Sequence, residues 1–169
     1  MFGRGTVIDL VAIKANFRIT GLPLTQFEPL FSLDDIELVQ KGARRLIVDA
    51  KPGFPCRVGL RDADIEERVI LLPFLHHNVD SPYRASGPIF VQEKAKEADL
   101  APGQVPEVVR SRVMSVRAYD RDGMMRAAAV TPGTDLESQI DKFFADSRVS
   151  YLHLHNAGAG CYSCRVERV

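Results

Sequence analysis

Apolar residues recur along the chain with two different periods, and the switches between them mark out elements. Phe17–Thr20 reads as a short strand closed by Gly21 and Pro23. Ser32 and Asp35 form an S-x-x-D helix start, and Ile36, Val39, Ala43 and Leu46/Ile47 then return at helical spacing, which predicts a helix over about 33–47. Gly42 weakens that pattern, and Lys51-Pro-Gly-Phe-Pro ends it because proline cannot continue a helix. Cys56–Leu60 and Arg68–Leu75 read as a hairpin around the polar turn Arg61–Glu67, and Val69–Leu72 is apolar on both faces, as near a sheet centre. Ile89–Gln92 is a further strand. Val108–Tyr119 alternates, with Met114, Val116 and Ala118 on one parity and Ser115 and Arg117 interrupting the other. Asp122-Gly123 supplies a hairpin turn into Met124–Val130. Thr134 with Glu137 is a second capping box, and Leu136, Ile140, Phe143 and Phe144 make the stripe of a second helix over about 135–145. Val149–His155 and Cys161–Glu167 close the chain as a hairpin. Two helices among about eight strands, mostly hairpin-connected, predict a single α+β domain over 16–169 with a largely antiparallel sheet, preceded by a weakly anchored extension over 1–15.

The closing hairpin carries the most chemistry. If pairing is symmetric about Asn156-Ala-Gly-Ala-Gly160, His155 faces Cys161, His153 faces Ser163 and Tyr151 faces Arg165. Side chains alternate along a strand, so those six share one polar face, and Leu152, Leu154, Tyr162, Cys164 and Val166 form the apolar one. A one-residue bulge would move side chains to the opposite face. On a strand Cys161 and Cys164 point opposite ways and no second C-x-x-C exists, so the pair is neither a zinc knuckle nor a redox motif, and Cys164 is a core residue. His153 and His155, two apart, suit two ligands of a metal. A third would come from Cys161 or from one of His76 and His77, which cannot both join. The alternative for these histidines is a wet sheet face or a pocket for an anion. Cys161 opposite His155 is also open as a nucleophile and base, with no third group to orient the ring.

A second cluster runs from His76 to Pro88. It holds Ser81, Tyr83, Arg84 and Ser86 with one acid, Asp80. The planar fork of Arg84 matches a carboxylate or phosphate; the alternative is a rigid loop whose hydroxyls bond its own backbone. Arg57 and Arg61 read as an exposed ladder, and Asp62–Glu67 as a solvated acidic turn. No phosphate-cradling glycine loop occurs.

Composition narrows these readings. Of 169 residues 46% are hydrophobic and 26% charged, the make-up of a folded protein. Twenty-two basic and 22 acidic side chains balance to zero, which leaves no bulk attraction to nucleic acid. Three cysteines make no disulfide framework, no stretch has the length of a membrane span, and Asp9 and Lys14 spoil a leader, so a cytoplasmic protein is expected. The charge is uneven, however. Val149–Val166 and Ser81–Gln92 contain no acid, while they hold two histidines, Arg84 and Arg165.

Several strings then match together: Phe17-Arg-Ile-Thr-Gly-Leu, Pro52-Gly-Phe-Pro-Cys-Arg, Leu72-Pro-Phe-Leu-His-His, Pro82-Tyr-Arg-Ala-Ser-Gly-Pro-Ile-Phe-Val, and His155-Asn-Ala with Gly160-Cys161-Tyr. The chain resembles the bacterial family catalogued as domain of unknown function 1203, over about Phe17 to Val169. The resemblance implies a single bacterial cytoplasmic domain. No activity, substrate or cofactor is established for the family, so it assigns no catalytic residues.

The residues themselves favour a small-anion binder or enzyme. In that reading Arg84 clamps the anion, His77 and His155 act as acid and base, and Cys161 is nucleophile or bystander. Tyr83, Ser86, His153 and Arg165 line the pocket, with no metal and no cofactor. The expected partner is a small anionic ligand, without nucleic acid or membrane. Two readings compete with it: a non-catalytic interaction module, and a metal protein using His153 and His155.

Overall fold

The described residues of this computed structural model are 16–169, and the extension expected over 1–15 lies outside them. The chain runs β1 (Phe17–Thr20), α1 (Glu28–Phe31), α2 (Asp35–Gln40), β2 (Arg44–Ile47), β3 (Pro55–Cys56), β4 (Arg61–Asp62), β5 (Arg68–His77) and β6 (Ala85–Gln92). It continues through α3 (Glu107–Arg110), β7 (Val113–Tyr119), β8 (Met125–Pro132), α4 (Leu136–Phe144), β9 (Tyr151–Asn156) and β10 (Tyr162–Arg168). The α+β class holds, but the strands among the described residues number ten and divide into two five-stranded sheets, ordered β1-β10-β9-β7-β8 and β2-β5-β6-β3-β4. Pairing is antiparallel except between β3 and β6.

Three expected elements are corrected. The strand expected over Val108–Tyr119 begins only at Val113, because Glu107–Arg110 turns into the short helix α3. The helix expected over 33–47 ends at Gln40, because Gly42 takes a left-handed φ of 73°. There Gly42 N–H donates to the Val39 carbonyl and Ala43 N–H to that of Leu38, both at 2.9 Å, a Schellman stop that releases Arg44–Ile47 as an edge strand beside β5. Its capping box is Asp34 with Glu37, two residues beyond the expected start. The hairpin expected between 56–60 and 68–75 does not form. Residues 55–56 pair instead with 61–62 and 90, while β5 pairs with β2 and β6.

The first sheet buries one face under α4. Met114, Val116, Ala118, Leu152, Leu154, Cys164 and Val166 are fully buried against Leu136 and Ile140. A second core beneath α1 and α2 joins Phe27 and Leu38 to Ile70, Leu72, Ile89 and Val91. The opposite face of the first sheet is polar and aromatic, and the end of β5 packs on it.

Candidate functional site

Strand alternation builds that polar face. In register, Arg117 of β7 lies beside His153 of β9, which lies beside Arg165 of β10; Ser115 lies beside His155, and Tyr119 beside Tyr151. A bulge between Tyr162 and Cys164 places Tyr162 opposite His155, on the histidine face. From the second sheet His76 stacks on Tyr162, with ring centroids 5.2 Å apart and planes 7° from parallel. This stack brings His76 to 5.1 Å from His155 and 6.3 Å from His153, centroid to centroid.

One ring nitrogen from each of His76, His153 and His155 lies within 4.8 Å of the other two. Each ring also keeps one buried nitrogen without a hydrogen-bond partner: Nδ1 of His76, Nδ1 of His153 and Nε2 of His155. For His155 the tautomer follows, since Nδ1 lies 3.0 Å from the Gly160 carbonyl, which can only accept. Nδ1 therefore carries the proton and Nε2 presents a lone pair. A metal-binding histidine is ordinarily held in this way, with its second nitrogen donated to a carbonyl.

Electrostatics keeps the rings neutral. Burial, reinforced by the charges of His77 and Arg117, pushes His76 down to about 4. Burial with His77 and Arg165 pushes His153 to about 2, and burial outweighs the favourable Gly160 carbonyl to bring His155 to about 4. At neutral pH the set offers three uncharged imidazoles, the form that binds a metal. Arg117 and Arg165 both act on these rings as positive charges, so the surroundings favour an anion near any bound cation.

The other residues singled out from the sequence are dispersed. His77 is buried, with Nδ1 2.7 Å from the Tyr83 carbonyl and Nε2 2.9 Å from the Tyr151 hydroxyl. Both nitrogens are occupied, so His77 is a structural pin. Arg84 is exposed and donates to Asn78 Oδ1, so it does not clamp the histidine cluster. Ser86 is exposed in a separate groove beside Gly42 and Arg44, and Tyr83 is partly exposed. Arg165 lies 3.9 Å over the Tyr151 ring and donates to Glu167. Cys161 does not face His155: the bulge puts Tyr162 there, and the two residues share no hydrogen bond. The Cys161–His155 nucleophile pair is therefore not formed. Cys164 is fully buried, as expected, and burial pushes its thiol up to about 12.

The sequence profile described as "Protein of unknown function (DUF1203)" matches residues 53–168, well over half of the chain. The chain belongs to this family. No curated protein and no solved structure matches it. All three clustered histidines fall inside the family segment, whereas the Phe17–Leu22 string lies before it.

Three residues of this family segment escaped sequence reasoning. Arg57 is 2% exposed, not part of a surface ladder, and donates to the carbonyls of Tyr162 (2.7 Å) and Pro55 and to Cys161 Sγ (3.1 Å). Its place between apolar Cys56 and Val58 was the available signal. Tyr162 was hidden by the bulge. Arg117 was visible as an interruption in β7, on the parity that becomes the polar face.

Proposed function

We propose that this protein binds a transition-metal ion through His76, His153 and His155. The carrying observation is that all three rings keep a buried nitrogen without a partner while one nitrogen of each lies within 4.8 Å of the others. Unpartnered buried polar atoms cost about 1–3 kcal/mol each, a cost that a metal bound through these atoms would offset. Zinc fits the donor set: imidazole nitrogens bind it at about 2.0–2.1 Å, so tetrahedral ligands stand about 3.3 Å apart. The rings need to close by at most about 1.5 Å to reach that spacing. Three protein ligands leave a fourth position, as in catalytic zinc sites.

The small-anion reading survives in altered form. Arg117 and Arg165 supply the positive surroundings, in place of Arg84. A carboxylate, phosphate or hydroxide at the fourth position would offset the charge of a divalent ion. A reducing, cytoplasmic setting belongs to the same proposal, supported by three unpaired cysteines. No helix among the described residues is long and apolar enough to cross a membrane.

The test is equilibrium dialysis of chelator-stripped protein against zinc, followed by metal analysis. One ion per chain is expected, falling below a tenth in His153→Ala combined with His155→Ala. Equal zinc content in the stripped parent and the double variant would refute the site.

A further inference from the structure

The polar face of the first sheet is covered unevenly. Over β9 it is closed, and His153 and His155 are at most 2% exposed beneath the end of β5. Over much of β7 and β8 it lies open: Ser115 and Arg117 are half-buried, and their register partners Val130 and Ala128 are exposed. In the other direction Arg117 is paired with His153, and Ser115 with His155. Side chains paired across an antiparallel ladder start from Cβ atoms about 4.5–5.5 Å apart, so an arginine spans that gap. The Arg117 charge does act on the cluster, helping to hold His76 and His155 low.

Arg117 is short of partners. Nε makes a long bond of 3.4 Å to Ser115 Oγ, and the guanidinium also meets the Tyr119 hydroxyl, which burial keeps protonated. Both partners are neutral. Among the described residues no carboxylate lies within 4.0 Å of Arg117, His76, His153 or His155. Arg165, on the other side of His153, is differently placed, since it donates to Glu167 and stacks on Tyr151. Of the two arginines flanking His153, Arg117 is therefore the one left without a counter-charge, and it stands on the open side.

We propose that the metal-loaded histidine site binds a phosphate monoester, one phosphate oxygen on the metal and another on the guanidinium of Arg117. The proposal rests on the metal reading above and specifies what occupies its fourth position. Charge selects the phosphate. A divalent ion and Arg117 together bring three positive charges with no carboxylate in contact. A phosphate monoester returns nearly two negative charges at neutral pH, whereas a carboxylate returns one. The planar fork of an arginine also matches phosphate oxygens. The organic group of the ester lies over Ala128 and Val130, whose exposed side chains make a small apolar floor beside Arg117.

The experiment titrates the zinc-loaded, desalted full chain with phenyl phosphate by calorimetry at neutral pH, and with benzoate as a carboxylate on the same ring. Zinc content is measured on every sample. One equivalent of phenyl phosphate is expected to bind, about tenfold or more tighter than benzoate, and the chelator-stripped chain should bind neither. Arg117→Met should hold at least as much zinc as the parent, since it removes a positive charge near the cation. Its affinity for phenyl phosphate should fall about tenfold or more, as on losing a charge-assisted hydrogen bond. Arg117→Lys, which keeps the charge and loses the fork, should recover part of that loss. A chain that takes up no zinc fails the metal reading and this proposal with it. A zinc-loaded chain that binds phenyl phosphate no better than benzoate, or equally well as the parent and as Arg117→Met, overturns this proposal alone. Equal binding by the zinc-loaded and stripped chains overturns it too.

Discussion

Acidifying the metal-free protein from about pH 7 to pH 4.5 should remove a large part of its stability, through the buried histidines. The folded-state values of His153 (about 2) and His155 (about 4) lie below the ordinary histidine value of 6.5. Below about pH 6.5 the unfolded chain therefore binds protons that the folded chain refuses, and stability falls as pH falls. At pH 7 neither state is much protonated and the effect is small. At pH 4.5 an unfolded histidine is fully charged, His153 is neutral when folded, and His155 is about one quarter protonated. Each site then costs about 2.5 kcal/mol relative to neutral pH, about 5 kcal/mol for the pair. That is a large share of the roughly 5–15 kcal/mol typical of a domain. Asp146, held at about 2, adds little here because its contribution is lost at lower pH, while Glu67 and Glu137, also lowered against their burial by hydrogen bonds that include arginine partners, steepen the fall toward the acid end of the range. Urea unfolding, followed by far-ultraviolet circular dichroism at half-unit pH steps, measures the effect. With His76, also held at about 4, included, a slope of about 3.5 kcal/mol per pH unit is expected between pH 5.5 and 4.5, falling by about a third in His155→Gln. A slope below about 0.5 kcal/mol per unit would show that these rings are not buried neutral, and the reasoning would fail.

Three further changes separate structural groups from the histidine cluster. His77→Phe leaves the Tyr151 hydroxyl and the Tyr83 carbonyl without their recorded partner; thermal melts should show a loss of about 2 kcal/mol with zinc content unchanged. At Gly133 an added Cβ would lie 2.1 Å from the Val109 carbonyl oxygen, so Gly133→Ala should cost about 3 kcal/mol by overpacking, and an unchanged urea midpoint would contradict that. The pair Arg112–Asp62 joins the two sheets with side chains 19% and 11% exposed; a double-mutant cycle with Arg112→Met and Asp62→Asn should return a coupling of about 1–2 kcal/mol.

How far the sequence reached depended on whether a feature was local. Turn chemistry and alternation placed β8, α4, β9 and β10 almost at their observed limits, because Asp122-Gly123 and the apolar stripe of α4 act over a few residues, whereas β7 begins five residues later than its alternation suggested. Division into two sheets was not legible, since it depends on which strands meet across long separations. The pattern over 33–47 failed because Gly42, read as a weak helix residue, is a helix stop. At the site, His153 and His155 were visible as neighbours on one face, and the rule that only one of His76 and His77 can join them holds: His76 does. The bulge at β10, a deviation of one residue, decided the rest. It turned Tyr162 onto the histidines, where it stacks on His76, and directed Cys161 toward Arg57. No periodicity announces such an insertion, and Arg57 was misjudged because two of its three partners lie more than a hundred residues away.

The most direct test of the metal site is an anomalous difference map, recorded at the zinc edge from crystals grown with stoichiometric zinc. A single strong peak about 2.0–2.1 Å from one nitrogen of each of His76, His153 and His155 is the predicted result. A map with no peak among these rings, or with the ion bound at another place, would contradict it.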